Sequence, residues 1–468
     1  MYLRSITGQT SDGNLKGYMA PLNVAPDSTC VPPPITTTAT GGSTAAIGSS
    51  QHDDVTVSDG TNVGVGSVKF FLCSPAEVTA NGGDCSANGT QVGSVKTLDG
   101  SGNASSDSID GTTTPNDNTP GEYCWRAEFT PSSGDHHFLA GSHTNSTTEC
   151  FTVVKNSPTI VTTPSPTSVT LGTSPVTLND SALLSGGHSP TGTITFTLVY
   201  NSATVDTETV SVSGNGTYTT PTGYTLPSSG TVTGTYQWNA TYSGDGSNNS
   251  VSENGAASEQ VTVNSASPAV VTTATPASVT LPGSVTFSDS AVVSGGYHPT
   301  GTLTFTLAGP GGFSYTQTDT VSANGTYTAS DGPVVNPDAG TYTWSVSYSG
   351  DGNNSTAVDQ GGRNEQTVVS PASPSIVTTP DPASVTLGTS SVTLNDSALL
   401  SGGSNPTGTI TFTLFYKGNL VDTETVLVAG NGTYTTPVGY TVPSSGTVTG
   451  TYQWDATYSG DGSNGSVS

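Results

Sequence analysis

Residues 157–252 and 373–468 align without a gap at an offset of 216, and 79 of their 96 positions are identical. A third, more diverged copy lies between them, from 267 to about 369, so the period is about 108 residues. A repeat of that size matches one two-sheet sandwich and exceeds the unit of a solenoid. Each copy is therefore long enough to bury a core of its own, which predicts beads on a string rather than one continuous stack.

The amino-terminal third is a more distant copy. GSVKFFL at 66–72 stands where GTITFTL stands at 192–198, EYCWRAEF at 122–129 corresponds to TYQWNATY at 235–242, and ECFTVV at 149–154 to EQVTV at 259–263. The expected division is an unassigned segment 1–29 and four units, 30–155, 156–264, 265–370 and 371–468, the last without its final strand. Pro-containing junctions such as NSASPAVVTTATP at 264–276 predict semi-rigid spacers.

Within each copy the side chains alternate with period two. Tyr236, Trp238, Ala240 and Tyr242 share one parity and Thr235, Gln237, Asn239 and Thr241 the other, the pattern of a half-buried strand. Ile194, Phe196 and Leu198 form a second stripe, and Val176, Leu178, Ala182 and Leu184 a third. Gly- and Asn-rich turns separate them, and no window has the helical 3.6 period. The prediction is all-β: a tandem array of immunoglobulin-like antiparallel β-sandwiches of about seven strands each. Trp125, Trp238, Trp344 and Trp454 supply one core tryptophan per unit.

The run NPTGTITFTLFYKG at 405–418, then GNGTY and GTYQWDATYSGDG, resembles the bacterial Ig-like repeats of large secreted or wall-attached proteins, notably actinobacterial ones. The first unit, with FFLC, YCWRAEF and ECFTV, is similar to a cysteine-bearing variant of that family. The resemblance covers residues from about 30 to 468 and implies stalks, spacers or adhesive arms.

All five cysteines fall in the first unit. Stacking the copies puts Cys124 and Cys150 at outward positions of two neighbouring strands, where a disulfide is geometrically reasonable. Cys73 and Cys85 flank a 13-residue hairpin that a second disulfide closes, worth roughly 3 kcal/mol. Cys30 is left over, to pair upstream or stay free. Zinc is the rival, but no two cysteines have knuckle spacing. Disulfides imply an oxidising compartment, hence an extracellular or cell-surface (cell-wall) location.

Only 8 Lys and Arg oppose 34 Asp and Glu, giving a net charge of −26 although charged residues are just 9%. Without clustered basic side chains neither nucleic acid nor an anionic membrane surface is an expected partner. Nucleophile elbow, zincin, P-loop and dinucleotide fingerprints are absent, so no enzyme and no cofactor are expected. Arg363 and Lys417 are the only basic residues from 157 onward, which removes Lys-to-Asn isopeptide bonds from the second and third units. His188 and His298 lie one place out of register, and the fourth copy has Ser404 and Asn405 there, so the repeats share no functional histidine. His136, His137 and His143 form a denser group, read as a surface loop or an adventitious transition-metal site.

Two acidic features recur. The SGD turn supplies Asp135, Asp245, Asp351 and Asp461, with Asn248 and Asn354 close behind. These are either hydrogen-bonded turn residues or ligands of a junction Ca²⁺ that stiffens a rod. Asp180, Asp289 and Asp396, with Asp59 as their expected counterpart, are in step with an inward stripe, and a bulge or sheet edge or a second calcium ligand is the reading for them.

Residues 1–13 contain no apolar leader, and the fourth copy stops before the counterpart of 253–263. A sandwich without its last strand exposes a groove and an unpaired edge, which a truncated reading frame explains, as does a neighbouring subunit that completes the unit and builds a fibre. The preferred function is a non-catalytic stalk about 150 Å long that projects a functional tip, estimating each unit from strands of about ten residues. The alternatives are an adhesin module for carbohydrate or host protein, with Tyr200, Tyr224, Tyr297 and Phe313 as scattered aromatic candidates, and an accessory segment of a secreted enzyme.

Overall fold

The structure is a computed structural model and describes residues 31–112 and 114–468; Cys30 and the segment 1–29 lie outside the described residues. Contacts group the described residues into two compact units: everything to 165 with 179–223 and 237–260, and 166–178 and 224–236 with everything from 261. The division falls inside the second repeat.

In the second unit the third repeat shows the scheme in full. One sheet runs Ala269–Thr275, Ser284–Ser294, Gly325–Val335; the other runs Ser278–Thr280, Gln366–Ser370, Gly340–Tyr348, Thr302–Ala308, Ser314–Thr320. In the first unit, the first repeat has the same plan, with Ile35–Thr40, His52–Val57 and Asn103–Ser105 forming one sheet. Its other sheet runs Thr44–Ala46, Cys150–Val154, Gly121–Pro131, Gly66–Cys73, Thr90–Gln91. Tandem antiparallel two-sheet β-sandwiches are thus what the alternating stripes encode.

The structure adds two features to the expected seven antiparallel strands. The opening strand crosses between sheets, and its second half pairs in parallel with the last strand, as Ser278–Thr280 does with 368–370. In the third repeat Pro276 stands at the crossing, where a residue without an N–H ends the first ladder. In the first repeat Gly41 and Gly42 take φ of 107° and 84° there, which other residues resist. A short strand such as Ala357–Asp359 also pairs beside Gly340–Tyr348.

Buried apolar residues of the first, third and fourth repeats form three separate clusters, each inside one repeat. Trp125, Trp238 and Trp344 have no exposed surface, whereas Trp454 keeps 6%. Both expected disulfides are present, Cys73–Cys85 and Cys124–Cys150. The segment between Cys73 and Cys85 is not a β-hairpin, because Pro75–Ala80 is a short helix. Pro75 opens it, and the Glu77 carboxylate accepts the Ser74 N–H at 2.8 Å, chemistry that favours a helix start over a turn. That helix covers the outward face at Cys124, so the two disulfides and Val78 form a second small buried cluster.

Candidate functional site: the junctions between repeats

Short linkers join one repeat to the next, and the SGD loops lie against them. In the first unit, the Asp245 carboxylate accepts the backbone N–H groups of Ser247 and Asn248 at 2.8 Å and of Thr191 at 2.6 Å. The Tyr242 hydroxyl and the Asn248 amide nitrogen also donate to it. Asn248 turns its own oxygen to the His188 N–H at 2.8 Å. In the second unit Asp351 repeats this with Thr300, Asn353, Asn354 and Tyr348, and Asp461 with Thr407, Ser463, Asn464 and Tyr458. Asp135 is held by the N–H groups of Val65, His137 and Phe138.

The expected pairing of Asp245 with Asn248, and of Asp351 with Asn354, is therefore found, but in a form that satisfies itself. A cation placed there would face N–H and O–H donors rather than free lone pairs. Burial raises the Asp461 pKa, but the Thr407 N–H and its other donors more than offset this, and the net value falls to about 2. Asp351 is lowered by the same balance.

The glycine of the PTG sequence permits this close approach. Gly301 has φ of 93°, and a Cβ on it would stand 2.6 Å from the Gly350 carbonyl oxygen. Only glycine fits both the conformation and the space.

Each loop also grips the linker before it. Asn156 donates its N–H to the Ser247 carbonyl and accepts from the Asn249 N–H; Ala266 does the same with Asn353 and Ser355, and Ala372 with Ser463 and Gly465. In the second unit, side chains extend the grip to the preceding repeat. The Asn353 oxygen accepts the Val232 N–H at 2.8 Å, and its amide donates to the Gly230 carbonyl at 2.7 Å. Tyr297 is buried there, donating its hydroxyl to the Pro227 carbonyl at 2.9 Å. In the first unit the Asn156 amide donates to the Ile47 carbonyl at 3.0 Å. Asn353 and Asn156 were missed by sequence reasoning, since an Asn in a Gly/Asn-rich loop carries no pattern of its own.

Other candidates take different places. Tyr297 belongs to a junction, and Phe313 packs on Phe287 and Tyr342 at 6.2 and 5.4 Å between ring centroids, so neither is a free platform. Tyr200 and Tyr224 are half-buried. His143 points inward from its strand, 2.7 Å from the Thr37 hydroxyl and 3.9 Å from Glu149.

Asp59 is not the counterpart of Asp180. It is exposed and caps its own turn through the N–H groups of Thr61 and Asn62. Asp53 holds the position: it is buried in the middle strand, and its backbone meets Ser106 as that of Asp180 meets Thr220. These aspartates are not at a sheet edge. They occupy central strands, opposite a break in the outer ladder for Asp180, where pairing at 177–178 resumes only at 181.

The third repeat presents one further regular surface. Thr318, Thr304 and Ser347 stand side by side across three strands, as do Thr316, Thr306 and Ser345 in the next row. Thr320 and Thr302 continue the array, which carries hydroxyl side chains and no charge.

No protein family and no curated protein matches the chain. Among solved structures, a tetra-tandem repeat in the extending region of a large adhesion protein aligns with 92% of this chain and 96% of its own, at 17% identity and a TM-score of 0.36. A structure addressing host cell surface retention of a 1.5-MDa bacterial ice-binding adhesin aligns with 73% of this chain and 99% of its own, at 17% identity and a TM-score of 0.24.

Proposed function

We propose that this chain is a non-catalytic stalk segment of an extracellular or surface-associated bacterial protein, a row of four sandwiches that holds a functional tip away from the cell. The observation that carries it is the recurring clasp, in which each linker is hydrogen-bonded on both sides into the Asp-centred loop of the following repeat. Such a junction limits bending without needing a metal, because the carboxylate already has its partners. The two disulfides suit an oxidising compartment. Small-angle scattering of the chain should give a maximum dimension of about 150 Å, unchanged between calcium and chelator. A compact or freely jointed profile, or one that extends only with calcium, would remove this reading.

A second reading, an adhesive module, is favoured by the hydroxyl array of the third repeat. An uncharged grid on a chain of net charge −26 suits a neutral, regularly hydroxylated polymer such as an insoluble polysaccharide. Co-sedimentation with cellulose and chitin should then be salt-insensitive and lost in a Thr304→Lys, Thr306→Lys variant. Failure to sediment with either polymer leaves the stalk reading alone.

A further inference from the structure

Two carboxyl groups are buried in each of the first three repeats: Asp53 and Glu149 hydrogen-bond to each other, whereas Glu259 and Glu365 act on Asp180 and Asp289 through their charge. Asp53 and Glu149 have no exposed surface, and Asp180, Glu259, Asp289 and Glu365 keep 1 to 4%. The aspartate sits in the middle strand of one sheet, and the glutamate immediately precedes the last strand of the other: Cys150–Val154, Gln260–Asn264 and Gln366–Ser370. Both oxygens of Asp53 and of Glu259, and one each of Glu149, Asp180 and Asp289, have no N–H or O–H partner.

Among the described residues no Lys or Arg forms a salt bridge with these carboxyl groups. Asp54 faces the first pair, with His143 3.9 Å from Glu149 and the Thr148 hydroxyl donating to it. Glu253 faces the second pair and Asp359 the third. Arg363, two residues before Glu365, forms no salt bridge among the described residues.

Two adjacent ionised carboxylates in a dry interior are too costly, and the available remedy is to keep a proton on the pair. We propose that each of these repeats is latched by a proton kept on its buried carboxyl pair, the central aspartate and the glutamate at the head of its last strand, and that losing this proton frees that strand. The strand runs directly into the clasped linker, so the latch couples pH to the firmness of the junction. In the first repeat the Cys124–Cys150 disulfide anchors the residue after Glu149 in either state. The second and third have Gln260 and Gln366 there, and open.

Burial, then the facing glutamate, pushes Asp53 up to about 9 and Asp180 to about 7. Burial pushes Asp289 to about 6, with Glu365 adding to it. A folded-state pKa above the unfolded one gives stabilisation that is complete at low pH and lost as pH rises through the folded value. The second and third repeats therefore loosen as pH rises.

Hydrogen exchange of the full chain, corrected for the intrinsic pH dependence of exchange, tests this. Between pH 5 and pH 8.5 protection of 366–370 and of 260–264 should fall by about ten- to a hundredfold. In an Asp289→Asn chain, an isostere that does not ionise, the pH dependence at 366–370 should vanish while that at 260–264 persists. Equal protection at both pH values in the unmodified chain, or an undiminished pH dependence in the variant, would overturn the latch. Should Asp289→Asn unfold the third repeat, Glu365→Gln read at 366–370 and Asp180→Asn read at 260–264 decide in its place.

Discussion

Replacing Asp351 with alanine should cost the third repeat about 3 to 5 kcal/mol and unfasten it from the repeat before. The carboxylate accepts the N–H groups of Thr300 at 2.6 Å and Asn353 at 2.7 Å, together with the Asn354 amide and the Tyr348 hydroxyl. An orphaned buried donor costs about 1 to 3 kcal/mol, and at least two are created here, with water relieving the outermost. Asn353, released from its turn, then gives up the Val232 N–H and the Gly230 carbonyl. Asp351→Asn keeps one acceptor oxygen and should lose about half as much. Urea unfolding followed by exchange in the third repeat reads the stability, and scattering reads the junction. A loss under 1 kcal/mol would mean that the carboxylate merely decorates the loop.

The same carboxylate fixes the acid limb of stability. Burial raises the Asp351 pKa, yet the N–H groups of Thr300 and Asn353 outweigh it and leave the group below its ordinary range. A depressed folded-state pKa stabilises above the unfolded value and is lost as pH falls. Asp245 and Asp461 act with it, and the buried carboxyl pairs act in the opposite direction. Stability should therefore peak in the mildly acid range.

Period-two stripes and one tryptophan per copy made the sandwiches readable, because burial on one face of a strand leaves a direct trace in residue order. The Cys124–Cys150 disulfide followed from stacking the copies and Cys73–Cys85 from the short segment the two cysteines flank. The helix Pro75–Ala80 escaped because six residues are too few for a 3.6 period to show, although Ser74, Pro75 and Glu77 spell a helix start. Asp59 was mistaken for Asp53 because the first repeat shares few residues with the others, so register had to come from pairing: Ala39 opposite Asp53, Pro164 opposite Asp180. The carboxyl pairs were half legible. The aspartates stood out against an apolar stripe, but each glutamate lies about 75 to 100 residues further on, and only the fold brings them together.

The fourth repeat offers the sharpest measure of what one strand contributes. Its larger sheet is reduced to Asn419–Leu427, Thr409–Tyr416 and Tyr452–Tyr458. A groove of about 280 Å³, lined by Leu394, Tyr452, Trp454 and residues 380–385, lies beside the last of these. Tyr452 is half-exposed, whereas Tyr342, its counterpart in the third repeat, keeps 1%. Appending ENGAASEQVTVN after Ser468 should fill this groove. Its two valines correspond to Val261 and Val263, which keep 0 and 2% exposure, and its second glutamate, the counterpart of Glu259, takes the place beside Asp396 that Glu259 has beside Asp180. Burying two valines contributes about 3 to 6 kcal/mol, and the new ladder about 1 kcal/mol per hydrogen bond. Ordering five residues costs about 1 to 2 kcal/mol each. The net gain is a few kcal/mol, seen as a rise of several degrees in the melting of the fourth repeat. A tail with both valines changed to serine should give no rise, because it keeps the backbone partners and loses the apolar burial. A tail with glutamine for the second glutamate should keep the rise but weaken its pH dependence, since burial alone then raises Asp396. If the unmodified tail leaves melting unchanged, the groove is closed by the repeat itself and the strand is dispensable.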